Sequence, residues 1–272
     1  LDLACKWIRD RHPDDPEKSQ FTYNKIPVHD PRAYELIARG DTMGVFQLES
    51  SGMQNLCVRM KPDRLDDIAA VNGLYRPGPL ESGMVDDFIA RKQGKANVET
   101  LFPEMKEVLS DTYGVIVYQE QVMELARVIA GYSLGGADLL RRAMGKKIAE
   151  EMEAQRSIFV EGSTKLGRDP RKASELFDLI AKFAGYGFNK SHASAYATLS
   201  VQTSFLKAVY PVEFFTALLT IEKENTDKLA RYIQDAKRRD LKILPPDINS
   251  SESDFKCIDN KTIRLGLSAI RH

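Results

Sequence analysis

The sequence is most easily bounded by what it lacks. It contains no GxxxxGK[ST] loop, and its nearest approach, Gly131-Tyr132-Ser133-Leu134-Gly135-Gly136, has no Lys after it, which argues against a P-loop nucleotidase. HExxH is also missing, so a zinc protease is not indicated. The adjacent pairs Asp66-Asp67 and Asp86-Asp87 would diverge by about 100° on a helix, so neither makes a natural two-metal clamp. No run of roughly 18 apolar residues exists to span a membrane. The three cysteines, Cys5, Cys57 and Cys257, are odd in number and far apart, without zinc or disulfide spacing, and read as reduced thiols used as small hydrophobes. Net charge is absent too. The 39 basic residues balance 39 acidic ones, which argues against a nucleic-acid coat protein or a polybasic membrane binder, while a single basic stripe remains possible.

What is present is an ordinary soluble composition, 43% hydrophobic and 29% charged, over 272 residues, enough for one large domain or two smaller ones. Apolar periodicity and punctuation predict a mainly α chain. Helices are expected at 1–12, from the Asp30-Pro31 cap to Gly40, and at 51–60, 62–74, 81–92 and 103–110. Seven more follow at 119–130, 134–145, 148–166, 170–184, 191–209, 211–222 and 226–240. Residues 44–48 read as a short extended piece, Arg76-Pro77-Gly78-Pro79 as a fixed turn and Val115-Ile116-Val117-Tyr118 as a buried strand. Pro245-Pro246 begins a stiff link, and the apolar runs either side of Asp259-Asn260-Lys261 predict a β-hairpin. The start on Leu1 and the end on His272 read as cuts in something larger.

Four cations, Arg141, Arg142, Lys146 and Lys147, fall within seven residues that contain no acid. On a helix Leu139, Leu140, Ala143 and Met144 would form one apolar face and the two arginines would point away from it. Asp138 lies three and four residues earlier, able to pair with either arginine, and Gly145 is expected to end the helix. Arg suits bidentate contact with phosphate oxygens and Lys serves as a point charge, so a polyphosphate or nucleic-acid backbone is the leading target, against a solvated salt-bridged face.

The second constellation runs from Gly185 to Ser194. Asn189 or Ser191 can cap a long helix there, whose N–H groups and dipole favour an anion. Lys190 and His192 sit at that same end, a misplacement of cations unless an anion joins them. Tyr186, Phe188 and Tyr196 add aromatic surface suited to base stacking or to core packing. Arg76 is presented by its proline turn, and Gln119 or Gln121 is placed either for hydrogen bonding or for helix capping.

Six runs, GVFQLES (44–50), RPGPL (76–80), YQEQVM (118–123), LRRAMGKK (140–147), FAGYGFNKSHASAY (183–196) and KILPPDIN (242–249), resemble the bacterial replicative DNA polymerase III alpha subunit family in order and spacing. The resemblance implies a multi-helix fingers domain with a few short strands and a small β-hairpin near the C-terminus. It divides the chain into a lead-in from the palm side at 1–28, a nucleotide-facing helical body at 29–242, and a link with the start of a helix-hairpin-helix DNA-binding region at 243–272. It implies template-directed DNA synthesis in the cytoplasm, with dNTP and primer-template DNA as ligands and the sliding clamp among the partners of the parent. Catalytic aspartates and the Mg2+ they hold would lie outside this chain, leaving the piece alone inactive. Arg141, Arg142, Lys146, Lys147, Asn189, Lys190 and His192 match the family's triphosphate-facing positions, with Arg76 and Tyr186 as further nucleotide or DNA contacts. A non-catalytic backbone-binding module and an error-prone paralogue of the same family are the alternatives.

Overall fold

In the computed structural model, which describes residues 1–146, 148–184 and 187–270, helices begin where the sequence supplies caps. The Asp30 carboxylate accepts the Arg32 backbone N–H at 2.9 Å, and Pro31 takes the first helical position, where its missing N–H costs nothing. Ser50 Oγ accepts the N–H of Met53 at 3.3 Å, and Asn225 Oδ1 that of Lys228 at 3.1 Å. Gly131 closes another helix at φ +68°, a left-handed conformation that glycine adopts without penalty.

The described residues form fourteen α-helices and one small sheet, the mainly α class that the sequence predicts. Two compact units share them: Leu1–Leu65 with Thr198–His272, and Asp66–Ala197. The first unit holds α1 (Asp2–Arg11), α2 (Pro31–Ala38) and α3 (Ser51–Met60). The chain crosses into the second at the start of α4 (Leu65–Leu74) and continues through α5 (Pro77–Glu81), α6 (Met84–Lys92), α7 (Met105–Val108) and α8 (Gln119–Ala130). The second unit is completed by α9 (Leu134–Lys146), α10 (Ala149–Lys165) and α11 (Pro170–Ala184). The long α12 (Lys190–Val209) returns the chain to the first unit, where α13 (Pro211–Ile221) and α14 (Thr226–Arg238) follow.

In the first unit α13 packs against α1 and α14, and α14 adjoins the sheet. Strand β1 (Lys242–Leu244) runs parallel to β3 (Thr262–Arg264), and β2 (Lys256–Cys257) runs antiparallel to it, pairing Cys257 with Ile263. The expected hairpin is therefore present. Its tip is pinned by Asp259, whose Oδ1 accepts the Lys261 N–H at 2.7 Å. All three cysteines are buried thiols without disulfides, and burial pushes Cys57 up to about 12 and Cys257 up to about 11.

The second unit packs α8, α9, α10 and α11 around one core that includes Leu125, Ile129, Leu140, Met144, Phe159, Leu176, Phe177 and Ile180. Each such side chain, taken out of water, contributes about 1.5–3 kcal/mol before the entropy of ordering is subtracted. Helix α10 crosses α8 closely at Gly162, where a Cβ would come 2.1 Å from the Ala130 carbonyl oxygen.

Several local expectations are corrected. Residues 115–118 form no strand; they run buried and make only one parallel bridge, Tyr118 to Phe188. Residues 44–48 are a turn, with Gly44 and Gln47 both at positive φ and the Thr42 hydroxyl donating to the Leu48 carbonyl at 2.6 Å. The two prolines of Arg76-Pro77-Gly78-Pro79 start α5 instead of closing a turn, because both occupy first-turn positions where no intrahelical N–H is needed. Leu139 is 59% exposed, and Ala137 takes its place on the buried stripe with Leu140, Ala143 and Met144. Gly145 does not end α9, which continues to Lys146.

Candidate functional site

Among the residues singled out by sequence, Lys147 and Tyr186 lie outside the described residues. The rest fall into two clusters held by hydrogen bonds, ion pairs and, for Arg76, a cation–π contact, both on parts of the second unit.

The first cluster is on α9. Burial of Leu140, Ala143 and Met144 fixes the rotation of the helix, and this turns Arg141 and Arg142 outward, with side chains 38% and 65% exposed. Asp138 engages both at once. Its Oδ1 accepts Arg141 Nε at 2.9 Å and Nη2 at 2.8 Å, while its Oδ2 lies 2.8 Å from Arg142 Nε. The Arg141 hydrogen bond, helped by the charge of both guanidiniums, holds the Asp138 carboxyl below the usual carboxylate range. One carboxylate between two guanidiniums leaves one positive charge over. Lys146, one turn further on, is engaged by Glu151 at 3.1 Å. Pairs this exposed hold side chains in place weakly, so an incoming anion can compete for them.

The second cluster is built where α12 begins. The bridge between Tyr118 and Phe188 sets the chain entering α12 beside the start of α8, with the Gln119 N–H donating to the Phe188 carbonyl at 2.9 Å. Asn189 is the cap, its Oδ1 accepting the His192 N–H at 2.8 Å. The anion that the misplaced Lys190 and His192 demanded is found inside the protein. Glu120 accepts from Asn189 Nδ2 at 2.8 Å and from the Lys190 backbone N–H at 3.0 Å, and Lys190 Nζ pairs with Asp111 at 3.0 Å. A carboxylate at a helix N-terminus complements its dipole, so this arrangement is locally favourable without any ligand.

Beside that cap the Arg76 guanidinium lies 4.2 Å from the centre of the Phe188 ring, a cation–π contact. Phe188 meets His192 edge-on at 5.5 Å between ring centres, and His192 lies 4.1 Å from Tyr196. His192 and Tyr196 are one turn apart on α12 and Phe188 lies just before it, so the three rings form a row at the start of that helix. Gly73 makes room for it, since a Cβ there would come 2.9 Å from Val117 Cγ1 and 3.3 Å from Phe188 Cδ1.

Gln121 and Gln119 are structural. Gln121 Oε1 accepts the N–H groups of Val117 and Tyr118 at 2.9 and 3.0 Å, and its amide donates to Thr112 Oγ1 at 2.7 Å. Gln119 Nε2 donates to the Gly187 carbonyl at 3.1 Å. Sequence reasoning missed Glu120 and Asp111. Glu120 carried a weak signal, an acid in the first turn of α8; Asp111 carried none, being 79 residues from its partner. No group of three His, Cys, Asp or Glu with metal-holding geometry occurs among the described residues, and no single helix there is long and apolar enough to cross a membrane.

Comparison with known proteins places this chain in a family. Residues 1–167 match the model of the bacterial DNA polymerase III alpha subunit finger domain, and residues 240–272 match a helix-hairpin-helix motif. Within that second range the described residues carry the three strands and a 3-10 turn at Leu267–Ala269. The DNA polymerase III subunit alpha of Campylobacter jejuni is 50% identical over the whole of this chain and 22% of its own length. That of Escherichia coli is 51% identical over 90% of this chain and 22% of its own length, and that of Deinococcus radiodurans 49% over 100% and 20%. This chain thus spans about a fifth of the length of those relatives. With half the residues identical along its full length, it belongs to the bacterial DNA polymerase III alpha subunit finger-domain family.

Proposed function

We propose that this chain forms the nucleotide-facing fingers of a template-directed DNA polymerase, receiving the triphosphate of the incoming dNTP and helping to seat the primer-template end. The observation that carries the reading is the outward pair Arg141 and Arg142 on a helix locked by its buried stripe, with Asp138 their shared carboxylate. Guanidiniums projecting from a fixed helix can neutralise charge that develops on a pyrophosphate leaving group. Lys146 adds a further positive charge at the end of the same helix, and Lys147 follows it in sequence. Asn189, Lys190 and His192 form the second edge of the cradle, and the Arg76–Phe188 stack offers a face to a base or sugar, with Tyr186 a further contact by sequence.

In the full polymerase Mg2+ would be held by carboxylates outside this chain, so the isolated piece is inactive, and primer extension by purified 1–272 would overturn that. The helix-hairpin-helix match at 240–272 supports DNA contact by the C-terminal segment. Cytoplasmic replication and association with a sliding clamp are properties of the parent under the same reading. In the full-length subunit, dNTP binding should be saturable and should be lost when Arg141 and Arg142 are both changed to Ala. A non-catalytic backbone-gripping module would instead ignore added dNTP and lose DNA steeply with salt.

A further inference from the structure

The two carboxylates at the start of α12 are held differently. Glu120 uses both oxygens on directed donors, the Asn189 amide and the Lys190 backbone N–H, and thereby fills the anion position of the helix end. A phosphate arriving there does not gain those N–H groups unless the cap comes apart. Asp111 has a looser hold on its partner. It meets the Lys190 ammonium at 3.0 Å, with side chains 39% and 44% exposed, so water screens this pair.

The surroundings of that ammonium are acidic. It lies 5.9 Å from the centre of the Tyr118 ring, and Asp66, Asp67, Asp111 and Glu120 all act on the Tyr118 hydroxyl electrostatically. Asp67 is committed to Lys92, 2.8 Å away and almost fully buried. Lys190, by contrast, sits in an exposed pair that is accessible to exchange. Its ammonium has three donors and a flexible stem, and a phosphate dianion competes for it against a single carboxylate.

We propose that Asp111 is a positioning residue that holds Lys190 across Tyr118 in the empty site and yields it to the nucleotide phosphates by ion-pair exchange. This rests on the reading of Lys190 as a phosphate-facing residue. The exchange makes Asp111 a built-in competitor: it keeps the lysine ordered and at the same time weakens nucleotide binding. Removing its charge should tighten binding, the opposite of what loss of a merely structural contact does.

The test is steady-state primer extension by the full-length subunit with dNTP as the varied ligand. Asp111→Asn should lower the dNTP KM by about two- to fivefold, the scale of an exposed ion pair, with kcat little changed. Asp111→Glu, which keeps the charge, should restore the wild-type KM, and Asp111→Ser is a second neutral variant should the Asn form fold poorly. In a Lys190→Met background Asp111→Asn should no longer lower the KM. An unchanged or raised KM in the neutral variants, with Lys190→Met itself raising KM, overturns the exchange while leaving Lys190 a phosphate ligand. If Lys190→Met leaves KM unchanged, the reading of Lys190 fails and the exchange fails with it.

Discussion

Glu120 and Asn189, 69 residues apart in sequence, meet at 2.8 Å through a carboxylate oxygen and a side-chain amide, and the other Glu120 oxygen takes the next backbone N–H. Asn189 in turn caps α12 through its own oxygen. The start of α8 and the start of α12 are thus fastened by a charged acceptor, the kind of hydrogen bond that contributes about 1.5–3 kcal/mol.

Glu120→Gln tests that fastening. The amide offers one oxygen and one NH2 group, so one of the two donors now faces another donor. Amide hydrogen exchange at Lys190 should speed up about tenfold, corresponding to about 1.4 kcal/mol, while the amides in the middle of α8 stay protected. Unchanged exchange at Lys190 would mean that the cap holds without Glu120.

A second prediction concerns the first unit. Lys207 is fully buried, its ammonium 2.8 Å from Asp235 and 3.4 Å from Asp41, and it donates to the carbonyls of Asp41 and Met43 at 3.0 and 2.8 Å. Lys207→Met leaves Asp235, itself 4% exposed, with its main counter-ion gone, so unfolding in denaturant should show a loss of about 3–5 kcal/mol. Burial lowers the Lys207 pKa, partly offset by Asp235 and Asp41. The unfolded chain therefore binds the proton more tightly, and this lysine's contribution to stability grows as pH rises from its folded pKa toward about 10.4. That alkaline rise should vanish in the variant; its persistence would assign the effect to other groups.

Much of this fold is legible locally. Asp30-Pro31, Ser50 and Gly131 mark helix ends by chemistry that involves only neighbouring residues, and the periodicity of 119–130 and 170–184 returns α8 and α11 with their observed bounds. What escaped depends on distant partners. Val115 to Tyr118 has strand composition, yet only Phe188 pairs with it. Strand β1 exists because residues 262–264, about 20 positions later, run parallel to it. The candidate site divides the same way. The outward turn of Arg141 and Arg142 follows from helix geometry and Asp138 nearby. By contrast, the internal anions for Asn189 and Lys190 come from residues 69 to 79 positions away, and no spacing rule exposes them.

The central claim is that the exposed α9 arginines meet the triphosphate, and Arg142, 65% exposed and held by Asp138, is the residue to change. The direct measurement is dNTP kcat and KM for Arg142→Ala in the full-length subunit on a primed template. Loss of one preorganised phosphate contact should lower kcat/KM at least about tenfold, corresponding to about 1.4 kcal/mol of transition-state stabilisation. If kcat and KM both stay within about twofold of wild type, under about 0.5 kcal/mol, Arg142 does not touch the triphosphate and the account is wrong.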